Sequence, residues 1–407
     1  MDYDVIVIGG GASGLMAAVT AAGRGRRVLL IEKMDQAGRK LRITGKGRCN
    51  LTNTNTLRDT LPHIGSDARF LRNAYGRFFN RELMEWFEQR GVELTVERGN
   101  RVYPASGKAL DIFLALINEL ESNPNVTIRK NTTVKSIETF ENQATAVILE
   151  RGERISCRHI VLATGGLSYP TTGSTGAGYR MTRELGHTVV EPVPSLVALK
   201  CEEKIPEEMV GFQLKNVQLT VCNKAFFGEM TFADDGLAGP IVLSASRLVS
   251  RQLHTEHSPL NAILDLKPAL TPEQLDKRLQ ADLAANGTRV FNDALRLWLP
   301  AELIPFALKQ LHIEYYKRLN QINGDERRRL CRWLKGVPFT LIGTHDWNEA
   351  IVTQGGVALS EINPKTMESR IISGLYIVGE LLDLDADTGG YNLQIAFSTG
   401  HAAGEAV

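Results

Sequence analysis

The first residues of the chain alternate between apolar and small residues in a pattern that predicts strand, helix and strand. The apolar residues Val5 to Ile8 predict a buried strand, which ends at the consecutive glycines Gly9 to Gly11. A run of small residues with Gly14 near its start predicts a helix, and the apolar residues Val28 to Ile31 predict a second strand. Two strands joined by a helix form a βαβ unit, so this pattern indicates an α/β fold with a parallel sheet.

The pattern changes twice further along the chain. Helical spacing over Ala109 to Leu120 is followed by short strand-like segments from Val126 to Leu149, which predict a small antiparallel meander attached to the parallel sheet. After Pro192 and Pro194, alternating segments predict antiparallel strands, and leucines at helical spacing follow them. We therefore expect three parts: a discontinuous domain at residues 1–190 and 345–407, a β domain at 191–270 and 336–344, and a helical subdomain at 271–335.

The glycines of the first turn match a phosphate-binding motif. Gly9, Gly11 and Gly14 satisfy G-x-G-x-x-G, in which the first glycine allows a tight turn, the second lets the backbone approach a pyrophosphate and the third lets helix and strand pack closely. Glu32 follows the second strand, where an acidic side chain accepts hydrogen bonds from an adenosine ribose. The complete context predicts a bound dinucleotide, and the acid favours FAD or NAD over NADP.

Composition and charge narrow the class of protein. The 407 residues are 43% hydrophobic and 23% charged with a formal charge of +1, which is ordinary for a globular protein and gives no general reason to expect nucleic acid or a membrane. The five cysteines include no C-x-x-C pair, which fits a reducing compartment. With no basic apolar leader and no long apolar run, we expect a cytoplasmic protein with no membrane span. The acidic loop with Asp383, Asp385 and Asp387 lacks EF-hand spacing, so we expect no metal.

A glycine-rich basic segment, Ala37 to Asn53, follows the ribose-binding acid. A solvated loop is one interpretation of such a run. The other is contact with the cofactor, because a segment directly after Glu32 lies beside the dinucleotide and can bring N–H groups and cations to it. We expect cofactor contact.

Four stretches together give the chain a family resemblance. The sequence resembles the BaiN-like (RdsA-like) bacterial flavoproteins, which are NAD(P)/FAD-dependent oxidoreductases, and the likeness runs from end to end. The stretches that carry it are GRKLRITGKGRCNLTN (38–53), VYPASGKA (102–109), ATGGLSYPTTGSTGAGY (163–179) and GLYIVGELLDLDADTGGYNLQIAFSTGHAAG (374–404). The resemblance implies a glutathione-reductase-like FAD-binding Rossmann domain, with an inserted antiparallel β domain that itself carries a helical subdomain.

Motif and resemblance together predict which residues contact FAD. A Gly-acid pair after a strand, Gly379 and Glu380, is expected at the ribityl chain, and the helix after Gly390 is expected to direct its N-terminus at the pyrimidine end of the flavin. The chain has one G-x-G-x-x-G and no second, so NAD(P)H is expected as a transient co-substrate. The predicted FAD-binding residues are Gly9, Gly11, Ala12, Ser13, Gly14, Glu32, Lys33, Arg39, Lys40, Gly45, Gly47, Arg48, Cys49, Asn50, Thr133, Val134, Ala163, Thr164, Gly165, Gly379, Glu380, Gly390, Asn392 and Leu393.

Two residues are candidates for the catalytic acid. Cys49 lies beside Arg48, whose charge is expected to tune the pKa of the thiol; the alternative is a small buried residue that packs under the flavin. Tyr391, at the start of the last helix, is the second candidate. The arginine-rich stretch Glu326 to Lys335, with Trp333 in it, is either a solvated helix face or a surface that grips RNA.

The resemblance implies reduction of an activated C=C bond with hydride from NAD(P)H delivered through flavin N5. We expect the substrate to be uridine in 23S ribosomal RNA, which would give dihydrouridine, because the basic glycine segment and the arginine-rich stretch suit RNA. The alternatives are a steroid or bile-acid-like enone, oxidation of a small amine such as aminoacetone, and a flavin-binding sensor without turnover.

Overall fold

A computed structural model describes the protein at residues 1–65 and 67–407. The chain divides into two units: unit 1 comprises Met1–Pro194 and Trp347–Val407, and unit 2 comprises Ser195–Asp346. The first part of unit 1 contains β1 (Tyr3–Ile8), α1 (Ala12–Gly23), β2 (Val28–Ile31), α2 (Arg39–Ile43), β3 (Thr52–Asn53), α3 (Leu57–Thr60), α4 (Arg72–Tyr75), α5 (Asn80–Glu88), β4 (Leu94–Glu97), β5 (Arg101–Pro104), α6 (Ala109–Glu121), β6 (Val126–Arg129), β7 (Val134–Phe140), β8 (Gln143–Leu149), β9 (Arg154–Leu162), α7 (Ala177–Glu184) and β10 (Val189–Ser195), which ends at the boundary.

Unit 2 and the return to unit 1 complete the order of elements. Unit 2 contains β11 (Leu199–Cys201), β12 (Gln213–Val221), β13 (Lys224–Ala233), β14 (Gly236–Ala238), α8 (Pro240–Thr255), β15 (Leu260–Asp265), α9 (Pro272–Ala285), α10 (Phe291–Ala294), α11 (Ile304–Leu311), α12 (Gly324–Lys335) and β16 (Val337–Thr344). The chain then re-enters unit 1 with β17 (Val352–Val357), β18 (Leu375–Ile377) and α13 (Tyr391–Ala406).

A seven-stranded sheet organises unit 1. Its order is β6-β2-β1-β9-β8-β7, and β18 also pairs with β9. The strands β6, β2, β1, β9 and β18 run parallel, and β1 and β2 are buried along most of their length, as expected for a sheet covered on both faces. An antiparallel meander is formed by β7, β8 and β9. The predicted meander from Val126 to Leu149 was wrong at both ends, because β6 pairs in parallel with β2 and β9 supplies the third strand. The predicted Rossmann-type α/β class is confirmed.

Helices α1 and α13 pack against each other through small residues. A Cβ added at Gly400 would lie 2.2 Å from the carbonyl oxygen of Ser13, and one added at Gly404 would lie 2.7 Å from that of Ala17. Gly400 faces Ser13 and Gly404 faces Ala17, so residue numbers increase in the same direction on both helices, and the helices run parallel. The close contacts at Gly400 and Gly404 therefore fix the position of α13 along the axis of α1.

Unit 2 is built on a closed antiparallel barrel of strand order β11-β14-β13-β12-β15-β16. Along β16, the buried residues Val337, Phe339 and Leu341 alternate with the exposed Pro338 and Ile342, which is the period expected of a half-buried strand. The predicted helix-rich region begins with α9. Its helices share one hydrophobic cluster with the barrel, so the division of this unit into two parts stays an interpretation of the sequence.

Sequence reasoning missed helix α8 within the expected β domain. Pro240 occupies its first turn, where the fixed φ of proline suits a helix and the missing N–H costs nothing. The apolar residues Ile241, Ala245, Val249 and Leu253 then lie buried at helical spacing. The apolar spacing that indicates this helix is present in the sequence, but it follows directly on the strand-like segments that the alternating pattern assigns to the β domain. Within the described residues, no helix combines the length and the apolar character needed to span a bilayer.

Two half-buried histidines make the stability of unit 1 depend on pH. Burial lowers the pKa of His159 and of His401. Such a histidine binds a proton more readily in the unfolded chain, where its pKa is about 6.5. The free energy of unfolding therefore rises as the pH increases through about 6.5 and decreases as the pH is lowered. We expect a lower Tm at pH 5.5 than at pH 7.5, and a smaller difference for His159→Phe. Thermal denaturation monitored by circular dichroism checks this, with exposed His257→Gln as control; an unchanged pH difference in His159→Phe would contradict it.

Candidate functional site

The N-terminus of α1 has the properties of an anion-binding site. Gly11 precedes the helix in an extended conformation, no side chain caps the helix, and its first turn carries no acidic residue. The first N–H groups of a helix have no partner within the helix and carry a partial positive charge. The start of α1, with Ala12 and Ser13, is therefore available for a pyrophosphate.

The three glycines of the motif have different functions. Gly9 has a φ of 103°, and a Cβ there would lie 2.5 Å from the carbonyl oxygen of Ala163. A Cβ at Gly14 would lie 1.9 Å from the carbonyl oxygen of Gly9. A Cβ at Gly11 would meet no atom of residues 1–65 and 67–407 within 4 Å. Gly9 and Gly14 are thus required by the fold itself, whereas Gly11 keeps open the space in front of the helix.

Glu32 and the segment after β6 form one edge of this space. The Glu32 carboxylate accepts hydrogen bonds from the N–H groups of Gly10 and Met34, each at 2.8 Å, which fixes its position at the end of β2. The Thr132 N–H donates to the Glu32 carbonyl, which brings Thr133 and Val134 close to the ribose-binding acid. These contacts bring together residues that the sequence predicted at the adenosine end of the cofactor.

Lys40 and Glu380 form an ion pair in the same unit. The Lys40 Nζ lies 2.6 Å from Glu380 Oε2, while Oε1 accepts from the Ser168 hydroxyl at 2.8 Å and from the Thr353 N–H at 2.9 Å. Burial raises the pKa of the Glu380 carboxyl, but the charge and hydrogen bond of Lys40, with the other two donors, outweigh it and lower the pKa below its usual value. Glu380 is therefore ionised and rigidly held. Sequence reasoning missed Ser168, although it lies within the stretch 163–179, and Thr353, which lies in none of the matched stretches.

Several other predicted residues lie around this space. The Lys33 ammonium donates to the Thr175 hydroxyl at 2.7 Å. The hydroxyl of Thr164 is buried and has no hydrogen-bond partner among the described residues, which fits a place against a polar ligand. A Cβ added at Gly165 would lie 3.1 Å from the Ser174 hydroxyl, and one at Gly379 would lie 2.4 Å from the Ser13 hydroxyl, so these glycines allow close approach of their loops.

A second group of predicted residues surrounds the start of α13. A Cβ at Gly390 would lie 2.4 Å from the Thr52 backbone, and with its amide turned to satisfy both neighbours, Asn50 accepts from the Gly390 N–H at 3.0 Å. The Asn392 amide accepts from the Ala386 N–H at 2.9 Å and donates to the Ala386 carbonyl at 2.8 Å. Leu393 packs against the core of unit 1. Asn50 and Asn392 therefore hold the loops around the helix start.

Two cations of the basic segment pair with neighbouring acids. Arg39 lies 3.3 Å from Asp35, and Arg48 pairs with Glu97 and lies over the ring of Tyr103. The part of the segment after α2 includes Gly45 and Gly47, both with positive φ. Arg39 and Arg48 are thus oriented by neighbouring acids and Lys40 by Glu380, whereas Lys46 is exposed.

The expectation that Arg48 tunes Cys49 is wrong. The Arg48 guanidinium is directed to Glu97, and Cys49 is fully buried, so burial raises the pKa of the thiol to about 12 although the Thr44 hydrogen bond lowers it. The structure favours the alternative interpretation of Cys49 as a small packing residue. Its φ of 58° places it in a tight turn between the basic segment and β3.

Tyr391 lies at the start of α13 within a set of polar side chains. Its hydroxyl accepts a hydrogen bond from the Asn55 amide at 2.8 Å, and its ring stacks on His63 with 4.6 Å between the ring centroids. Burial raises the pKa of the Tyr391 phenol. Sequence reasoning missed Asn55 and His63, which lie far from Tyr391 along the chain.

The arginine-rich helix α12 does not present Trp333 to a base, as the RNA interpretation required. Trp333 is buried and donates to Gln310, so it cannot stack on a base. Arg327 lies 2.8 Å from Asp276, and Lys335 lies 2.6 Å from Asp265. These two cations hold the helix to its neighbours, so the base-stacking role expected of Trp333 is wrong, while contact of the exposed Arg328 and Arg332 with RNA stays a prediction. Across residues 1–65 and 67–407, no cluster of three or more potential metal ligands is found.

The fold and the site define a FAD-dependent oxidoreductase of the Rossmann type. An uncapped helix start with open space over Gly11, an acid after β2 and an unsatisfied buried hydroxyl at Thr164 all fit the adenosine and pyrophosphate of FAD. The chain belongs to the HI0933-like protein family, whose Rossmann-domain profile matches residues 3–406.

Two relatives match almost the whole chain under different names. The 3-dehydro-bile acid delta(4,6)-reductase of Clostridium scindens is 32% identical and covers 98% of each chain. The ribosomal RNA dihydrouridine synthase of Escherichia coli is 30% identical, over 99% of this chain and 97% of its own. The predicted family resemblance is confirmed.

Solved structures show the same fold at low identity. A 3-ketosteroid delta1-dehydrogenase from Sterolibacterium denitrificans has a TM-score of 0.50 and 14% identity, covering 99% of this chain and 98% of its own. A quinol-fumarate reductase has a TM-score of 0.51 and 17% identity, covering 99% of this chain and 70% of its own. These likenesses concern the fold alone.

Proposed function

We propose that the protein uses NAD(P)H to reduce a C=C bond conjugated to a carbonyl group. The observation that carries this is the pair of full-length relatives, a bile acid delta(4,6)-reductase and a ribosomal RNA dihydrouridine synthase. Both names describe the addition of two hydrogens across such a bond. The shared chemistry supports the reaction class more firmly than either substrate.

The residues of unit 1 would hold and orient the cofactor for this reaction. The start of α1 binds the pyrophosphate, Glu32 accepts from the ribose hydroxyls, and Glu380, fixed by Lys40, faces the ribityl chain. The start of α13 contributes the positive end of its dipole, which stabilises negative charge on the pyrimidine ring. When bound, FAD accepts a hydride and passes it to the acceptor.

Nicotinamide is proposed as a transient co-substrate. The sequence contains one G-x-G-x-x-G, and the strand-helix context that such a motif needs is the β1–α1 turn already assigned to FAD. NAD(P)H and the acceptor would therefore occupy the same side of the flavin in turn. This predicts ping-pong kinetics.

We propose uridine in 23S ribosomal RNA as the acceptor. Two full-length relatives carry the name ribosomal RNA dihydrouridine synthase, and the basic segment presents exposed Lys46 between two glycines, where a phosphate can approach. Because Trp333 in α12 is buried and Arg327 and Lys335 are paired with acids, RNA contact is expected at this segment first. A steroid or bile-acid-like enone is the second candidate, favoured by the 32% identical reductase.

Mass spectrometry of 23S ribosomal RNA tests the preferred substrate. We expect a dihydrouridine to disappear on deletion of the gene and to return with the wild-type gene, but not with Gly11→Val. Purified protein should make the same nucleoside in unmodified RNA with NADH or NADPH. If RNA is unchanged and a 3-oxo-4-ene steroid is reduced, the second candidate replaces the first; if neither is reduced, the proposed reaction class is contradicted.

A further inference from the structure

Two consecutive tyrosines are exposed at a turn in unit 2. Tyr315 is 48% exposed and Tyr316 is 78% exposed. They occupy the two central positions of a turn that the Lys317 N–H closes by donating to the Glu314 carbonyl at 3.2 Å. Glycine, proline, asparagine and aspartate are favoured at such positions because they suit the backbone of a turn. Neither the turn nor the hydrophobic cluster of unit 2 therefore requires these two rings.

The backbone of this turn is fixed, while its rings have no protein partner. The Asn292 N–H donates to the Tyr315 carbonyl at 3.1 Å. The Lys317 Nζ lies 2.7 Å from Glu326 Oε1. Within residues 1–65 and 67–407, neither tyrosine ring stacks on another aromatic ring or on a cation. An ordered turn thus presents two rings to solvent, so a ligand can stack on them at a small cost in conformational entropy.

Two arginines beside the turn have no carboxylate partner among the residues that the structure describes. Arg318 follows the turn directly, and its backbone forms an antiparallel bridge with Val290, the neighbour of Arg289. Both arginines are exposed. The Arg289 guanidinium donates to the backbone carbonyl of Asp293 at 3.3 Å. The charges of Arg289 and Arg318 are therefore available to an anion close to the turn.

The charge around the turn favours a polyanion as partner. The exposed carboxylates of the same two segments, Asp293 and Glu314, are matched in number by the two arginines. Helix α12 adds two cations without a carboxylate partner in the described part of the chain, Arg329 and Arg332. Arg329 donates to the His312 carbonyl at 3.1 Å, which places α12 beside the segment that leads into the turn. Positive charge therefore exceeds negative charge on this surface.

We propose that the tyrosine turn, formed by Arg289, Tyr315, Tyr316 and Arg318, binds single-stranded RNA. This inference rests on the proposed ribosomal RNA substrate for the identity of its ligand. Exposed aromatic rings stack on unpaired bases, and guanidinium groups bind the phosphates between those bases. The tyrosine turn is thus a second RNA contact, on unit 2, in addition to the one proposed at Lys46. Because every base has a face on which a ring can stack, this contact holds a single strand without selecting its sequence.

Fluorescence anisotropy with a labelled, mixed-sequence single-stranded RNA of about 12 nucleotides tests this assignment in the full-length, FAD-loaded protein. For Tyr316→Ala, we expect the Kd to increase about 10-fold, the effect of removing one stack between a base and an aromatic ring. Tyr316→Phe keeps the ring and should bind like the wild type. Arg318→Ala should weaken binding and reduce the slope of log K against log salt by about 0.7, because one phosphate contact is lost.

The controls separate stacking from folding and from other partners. Tyr316 is largely exposed, so Tyr316→Ala should keep the Tm and the FAD content of the wild type. Phe227→Ala, which removes a 63% exposed ring from β13, should bind RNA like the wild type. Duplex RNA of the same length should bind more weakly, because its bases are not available for stacking. If sedimentation shows a wild-type dimer that Tyr316→Ala abolishes, the surface joins two copies of the chain and the RNA assignment is overturned.

Failure of this inference is distinguishable from failure of the proposed function, because RNA binding is measured without turnover. If Tyr316→Ala and Arg318→Ala bind the single strand as tightly as the wild type, the tyrosine turn is not an RNA site, whether or not uridine is reduced. If both variants bind weakly but the wild type reduces no uridine, the RNA site stands and the proposed substrate is overturned.

Discussion

Replacing Gly11 with valine is expected to abolish FAD retention while leaving the fold intact. A Cβ at Gly11 meets no protein atom within 4 Å, so the side chain would extend into the space reserved for the pyrophosphate. We expect FAD affinity to fall at least about 100-fold, equivalent to about 2.7 kcal/mol. The cost to the apo fold should be about 1 kcal/mol, from a β-branched residue at the helix cap. The flavin absorbance of the purified protein and its urea denaturation measure the two effects.

Other glycines provide matched controls for this experiment. Gly23, at the opposite end of α1, also faces open space, so Gly23→Val should bind FAD normally. Gly14→Ala should fail to fold, because its Cβ would lie 1.9 Å from a backbone oxygen. A Gly11→Val protein with a full complement of FAD would contradict the phosphate-cradle assignment.

Replacing Lys40 with methionine is expected to destabilise the protein and to weaken FAD binding. The side chains of Lys40 and Glu380 are 24% and 21% exposed, so the variant leaves a mostly buried carboxylate without its cation. Removing one partner of a fully buried pair costs roughly 3–5 kcal/mol, and partial exposure should reduce this to about 2 kcal/mol. Urea denaturation at pH 7.5 measures the loss, which the double variant Lys40→Met/Glu380→Gln should largely reverse.

The pH dependence of this loss has a defined sign. In the wild type, the lowered pKa of Glu380 contributes stability above the unfolded pKa, which is lost as the pH falls through the folded value. Without Lys40, burial raises that pKa, so the deficit should be greatest at neutral pH and shrink below about pH 5. Arg39→Met, which removes the exposed pair with Asp35, should cost less than about 0.5 kcal/mol. A Lys40 variant as stable as the wild type would contradict the role of the pair.

The features that sequence reasoning predicted correctly depend on neighbouring residues. The β1–α1–β2 turn, the meander after β6 and the buried leucines of α9 all follow from local periodicity or motif spacing. Helix α8 shows how such reasoning fails even locally, because Pro240 is compatible with both a loop and a first helical turn.

The roles of single side chains were less predictable. Trp333 and Arg327 in α12 resembled an RNA surface in sequence, but their contacts come from residues on other elements, Gln310 and Asp276. Cys49 follows a cation in the chain, yet the direction of Arg48 is set by Glu97. The charge pattern of a segment does not specify the partners that distant segments supply.

By itself, the sequence determined the Rossmann-type fold and a bound dinucleotide, because strand and helix periods and the spacing of Gly9, Gly11, Gly14 and Glu32 are local properties of the chain. The choice of FAD over NAD came from the family resemblance. Only the tertiary structure decided which polar groups meet. The pairs Lys40–Glu380 and His63–Asp387 each join residues more than 300 positions apart. Their contacts arise because the last segment of the chain returns to the first sheet, and no local pattern encodes that pairing.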